Sequence, residues 1–92
     1  MSITVLFDIP AMSMQQYDAV IKDLDSSGYH HPLGRQYHVA SPRGNGWYVL
    51  DVWESPEKLD QFARVLMPIL TKQKVNPLPN PEVLSTHNII KP

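Results

Sequence analysis

The run from Gly44 to Phe62 constrains the fold more than any other part of the chain, because its middle is apolar on both alternating faces. Trp47, Val49, Asp51 and Trp53 fall at period two and share one face, while Tyr48, Leu50 and Val52 share the other. A strand of this kind has to be covered on both sides. In a chain of 92 residues that calls for helices on one side and a partner subunit or a ligand on the other. Asp51 lies between two indoles on a largely apolar face, where a carboxylate needs a hydrogen-bonding partner or a chemical task.

The rest of the chain orders itself around that strand. Ile3 to Phe7 is β-branched and apolar and reads as a central strand. Ser13 with Gln16 forms a capping-box pattern, after which Met14, Tyr17, Val20, Ile21 and Leu24 recur at helical spacing until Ser26-Ser27-Gly28. A loop containing histidine, proline and glycine runs from Tyr29 to Gln36. Tyr37 to Ser41 reads as the second strand, joined to the third by a hairpin over Pro42 to Gly46. Ser55 with Pro56 and Glu57 marks a helix start, and Leu59, Phe62, Ala63, Leu66, Ile69 and Leu70 form its apolar stripe. Pro68 inside that stripe predicts a kink or a break, at a cost of about 3 kcal/mol in an ordinary helix interior. The proline-rich segment from Asn76 to Pro81 reads as an extended linker, and Glu82 to Ile90 as a last strand.

Strand, helix, strand, strand, helix, strand is the βαββαβ order of an α+β, ferredoxin-like domain spanning residues 1–92. It predicts a four-stranded antiparallel sheet in the order four, one, three, two, with both helices on one face. The opposite face, taken to carry Val49 and Trp47, would expose a large apolar patch unless two sheets pack together, so a homodimer is expected. Composition excludes several classes. Eight basic against nine acidic side chains give no signal for nucleic acid or for an anionic membrane. The absence of cysteine removes disulfides, thiolate metal sites and thiol nucleophiles. No apolar run is long enough to span a membrane and no signal pattern opens the chain, so a cytoplasmic protein is expected.

The pattern His38-Val39-Ala40, a glycine-containing turn, Gly46-Trp47, Val49, Asp51-Val52-Trp53-Glu54-Ser55, Phe62, Pro68 and His87-Asn88 resembles the small dimeric α/β-barrel proteins. Within these it is similar to the small proteins grouped with antibiotic-biosynthesis monooxygenases. The resemblance runs from Ile3 to Ile90 and implies the dimeric barrel. It ranges over several activities, so it bears on function less than on fold. Trp53 matches a pocket tryptophan of the haem-degrading members. Those members also use a histidine on the second helix as iron ligand, and this chain has none between Pro56 and Lys74. Asp8 stands where they carry asparagine. Haem degradation is disfavoured, and the resemblance implies no cofactor.

His38, Asp51 and His87 are the candidate catalytic residues, because an imidazole oriented by a carboxylate is a base tuned near neutral pH. Whether His38 meets Asp51 depends on register. If Ser41 pairs with Trp47, Tyr37 opposes Asp51; a one-residue bulge brings His38 to the Asp51 face. Structural roles weigh against each assignment: a backbone-bonded histidine, a carboxylate locking an indole N–H, or an edge histidine at a dimer seam. Tyr17, Trp53, Phe62, Leu66 and Asn88 are the candidate substrate-binding residues, with Trp53 as a pocket wall at the strand-to-helix corner. A metal set of His38, Asp51 and His87 is disfavoured, since their strands are not all neighbours. Arg35 and Arg43 flank the second strand, where they can meet an anionic substrate or simply be solvated.

Two functions follow. One is a cofactor-independent, monooxygenase-like oxidoreductase acting on a small aromatic or polyketide-like molecule. The other is a non-catalytic dimeric module that binds a small hydrophobic ligand. Catalysis calls for a polar group at the deep end of the cleft; a carrier calls for apolar walls with polar groups only at its mouth.

Overall fold

A computed structural model describes residues 1–91. Its elements are β1 (Ile3–Ile9), α1 (Met14–Ser26), β2 (Arg35–Arg43), β3 (Gly46–Trp53), α2 (Pro56–Lys72) and β4 (Glu82–Ser85). The strands form one antiparallel sheet in the order β2-β3-β1-β4, the expected ferredoxin-like arrangement. β1 and β3, the most apolar strands, occupy the centre. Alternate residues of β1 (Ile3, Val5, Phe7, Ile9) and of β3 (Trp47, Val49, Trp53) form the buried core with Val20 and Leu24 of α1 and Leu59, Phe62 and Leu70 of α2.

Both helices begin as the sequence predicts. Ser13 accepts the Gln16 N–H, and the Gln16 side chain accepts the Ser13 N–H in return, a complete capping box. At the start of α2, Ser55 accepts the Lys58 N–H and Pro56 occupies the first helical position. Gly46 has a packing reason: a Cβ there would lie 2.0 Å from the Ile9 carbonyl oxygen, so only glycine lets the end of β1 approach the hairpin.

Four expectations need correction. Of the kink or break expected at Pro68, the break does not occur: α2 runs on through Pro68, which lies on the exposed side beside exposed Arg64, where water can satisfy the freed carbonyl. β4 ends at Ser85, after which Thr86 donates to the Ser2 carbonyl, so His87 and Asn88 lie in a tail beyond the strand. The β2–β3 connection is a two-residue turn at Gly44-Asn45, with Arg43 paired to Gly46, which shifts the register by one from the Ser41–Trp47 pairing. Finally, Trp47 and Val49 face the helices. The open face instead carries Leu6, Tyr37, Val39, Tyr48, Leu50, Val52 and Leu84, among which Val39 is 56% and Leu84 46% exposed. No helix among the described residues is long and apolar enough to cross a membrane.

Candidate functional site

The tighter hairpin decides the site. With Arg43 opposite Gly46, His38 falls directly opposite Asp51 on the helix-facing side of the sheet. The two side chains meet there, with His38 Nδ1 2.6 Å from Asp51 Oδ1. Asp51 is 3% exposed and the only buried charged or polar residue among the described residues. Its second oxygen, Oδ2, accepts the Trp53 indole N–H at 3.3 Å. Both carboxylate oxygens therefore have donors, which is what allows a carboxylate to stay in an apolar layer. Since an ionised carboxylate only accepts, His38 Nδ1–H is the donor, and Nε2 carries the free lone pair in the neutral ring.

That Nε2 lies 3.2 Å from the Tyr17 hydroxyl of α1, which donates to it. The Tyr17 ring stacks on Trp47 at 4.3 Å between centroids and 15° between planes, which fixes where its hydroxyl points. Burial raises the Tyr17 phenol above its ordinary value of 10.0; the Arg35 charge opposes that, and Asp51 and Asp18 add to it. The phenol thus stays protonated through the neutral range and serves as a donor. Trp53, Asp51, His38 and Tyr17 form one chain of hydrogen bonds from the core to the edge of α1.

Two spaces adjoin this chain. A small inner chamber of about 60 Å³ is bounded by Tyr17, His38, Asp51, Phe62 and Leu66 among others. It has the volume of about two water molecules and is too small for an aromatic ring. Outside it, an open cleft of about 480 Å³ lies between α1, the loop before β2 and β2 itself, with Tyr17, Ile21, Tyr37 and His38 on its walls. That volume is in the range of small-molecule sites. Tyr17 and His38 border both spaces.

The structure thus brings together His38, Asp51, Tyr17 and Trp53 but gives them different positions. Trp53 is fully buried, bonds Asp51 and packs on Phe62 at 5.0 Å, so it braces the carboxylate and does not line the cleft. Phe62 and Leu66 line the inner chamber. His87 and Asn88 are exposed in the tail after β4 and border none of these spaces, because the strand that would carry them inward ends at Ser85. Among the described residues, no three His, Asp or Glu side chains gather as a metal set.

Arg35, which the sequence offers only as a flank of the second strand that can meet an anionic substrate or be solvated, is brought into the site. A bulge at Gln36 places Arg35 opposite Trp53 and turns it to the helix-facing side, where regular alternation would put Gln36. Its guanidinium lies 5.9 Å from the Phe62 ring centroid and borders both the chamber and the cleft. Burial lowers it from the usual arginine value, opposed by the Asp51 charge and Tyr17. A bulge leaves no residue signature here, so the period-two pattern gave no sign of it.

No family model matches the sequence, and no curated protein matches it. Solved structures do match in fold. One is a candidate antibiotic biosynthesis monooxygenase from Caulobacter crescentus, with a TM-score of 0.69 at 13% identity, covering 95% of this chain and 91% of that one. Another candidate of the same description, from Chloroflexus aurantiacus, gives 0.61 at 18% identity, covering 99% and 98%. SnoaB, a cofactor-independent oxygenase from Streptomyces nogalater, gives 0.62 at 10% identity, covering 97% and 94%. The chain therefore has the α+β, ferredoxin-like fold of the antibiotic biosynthesis monooxygenase-like proteins.

Proposed function

We propose that this protein is a cofactor-independent, monooxygenase-like enzyme acting on a small hydroxylated aromatic molecule, with His38 as its base. The observation that carries this reading is the His38–Asp51 pair: a buried carboxylate fixes the imidazole so that Nε2 points toward Tyr17 and the open cleft. A carrier has no need of an oriented base on the wall of its cleft. In a phenol with an activated ring methylene, Nε2 removes the phenolic proton. The resulting anion gives electrons to dioxygen. One oxygen atom becomes the new carbonyl as the methylene loses its two hydrogens, and the other leaves as water. The protein's share is a base, a donor for the anion and exclusion of bulk water. Once Nε2 has taken the proton it no longer accepts from Tyr17, whose O–H is then free to donate to the anion; Asp51 holds the tautomer and stabilises the imidazolium.

The working unit in this reading is a homodimer. The open face of the sheet leaves Leu6, Val39, Leu50 and Leu84 without a covering layer, and a second sheet placed against it would bury them.

The test is oxygen uptake and quinone absorbance with a panel of polycyclic phenols bearing an activated methylene. Turnover should fall by about two to four orders of magnitude in Asp51→Asn and in His38→Ala, both still folded. Turnover unchanged in both variants removes His38 and Asp51 from catalysis. Saturable binding of the same compounds with no turnover would leave a ligand-binding module in place of an enzyme.

A further inference from the structure

We propose that the cleft beside His38 takes an aromatic ligand bearing a carboxylate, with Arg35 as the residue that binds the carboxylate. This rests on the reading of the cleft as a ligand site and adds the substrate's charge to it. Arg35 is partly buried, yet its one hydrogen bond among the described residues goes to the His30 carbonyl at 3.2 Å. No acidic side chain lies within ion-pair distance of it. Among the described residues no fully buried polar side-chain atom lacks a partner, so the remaining guanidinium N–H groups reach solvent, and Arg35 borders the cleft. Asp51, the acid behind it, already has both oxygens bonded, to His38 and Trp53.

A half-buried cation with unused, coplanar donors facing a cavity matches the two oxygens of a carboxylate. The charge around it favours one negative charge over two. Exposed Asp18 stands on the rim, and the rim imidazole of His30 is 3.6 Å from Asp25. Arg35 and His38 occupy neighbouring helix-facing positions of β2, opposite Trp53 and Asp51. Successive positions on one strand face are roughly 7 Å apart. One aromatic ring can therefore reach both groups, with its carboxylate at Arg35 and its hydroxyl at Nε2. The cleft walls for that ring are Tyr17 and Ile21.

The experiment is an NMR titration of the protein's amide resonances with para-hydroxycinnamate and, separately, with its uncharged methyl ester. The acid should bind about tenfold or more tighter than the ester, with shifts centred on β2 and the facing turn of α1. Arg35→Gln should bring the ratio close to one. Arg35→Lys keeps the charge without the fork and should give an intermediate ratio; it decides the matter if Arg35→Gln does not fold. Equal binding of acid and ester, binding of neither, or a full preference surviving in the Arg35 variants overturns the proposal. If the acid preference holds and no phenol is turned over, the carboxylate site stands and the oxygenase reading falls. If turnover needs His38 while Arg35→Gln leaves the ratio untouched, the opposite conclusion follows.

Discussion

On the helix-facing side of β3, Trp47, Val49 and Trp53 are buried under α1 and α2, and Asp51 among them has a donor on each oxygen. On its other side, Tyr48 and Leu50 stay partly exposed, and Gly46 and Val52 are the buried residues of that sheet face among the described residues. The two faces have similar amounts of apolar side chain and different neighbours. The first holds a charge because packing excludes water while hydrogen bonds replace it. The second has no buried charge and no helix layer over it, and in the proposed homodimer it is the contact surface. One strand thus separates the proposed chemistry from the proposed assembly.

The sharpest way to break this comparison is Trp53→Ala. It removes a fully buried indole and leaves Asp51 Oδ2 without its donor, and should cost about 3–5 kcal/mol in denaturant unfolding. A loss under about 1 kcal/mol would show that the helix-facing layer is not packed as described. On the open face, Leu50→Lys should weaken self-association by about a hundredfold in sedimentation equilibrium and leave any oxygen-consuming activity per folded site largely intact. Association unaffected by that charge would place the dimer contact elsewhere.

Tyr17→Phe sharpens the comparison most gently. Losing one hydrogen bond to His38 should cost about 0.5–1.5 kcal/mol at neutral pH. Its pH signature has a definite sign. The folded phenol titrates above 10.0, so in alkali the unfolded chain releases this proton first and stability falls as pH rises past that value. Tyr17→Phe removes that contribution, so its alkaline stability curve should be flatter than that of the wild type. A parallel curve would mean that Tyr17 titrates as a solvated phenol.

What was legible in the sequence divides along the same physical lines. Element order, both helix starts and the placement of Asp51 on a face with Trp53 follow from periodicity and capping, which are local. The pairing of His38 with Asp51 turned on one residue of hairpin register, and the Gly44-Asn45 turn left that open between two partners. The sequence marks Arg35 as an anion contact or solvated surface but not its side of the sheet, because a bulge at Gln36 reverses it and bulges depend on the neighbouring strand. His87 and Asn88 looked like strand residues because Ile89 and Ile90 extend the apolar pattern. The ladder with β1 ends at Ile3 opposite Ser85, where the partner strand begins, so nothing remains for them to pair with. Trp47 and Val49 were set on the open face although they share their side with Asp51 and Trp53; only the helices' position settles which side is covered.

The central claim is that Asp51 holds His38 by Nδ1 and turns its Nε2 lone pair to the Tyr17 hydroxyl and the cleft. Nitrogen and proton NMR of the His38 ring tests it most directly. In the neutral form of the ring the account predicts the proton on Nδ1, shifted far downfield and losing that shift in Asp51→Asn. A ring protonated on Nε2, or a spectrum indifferent to Asp51→Asn, would contradict it.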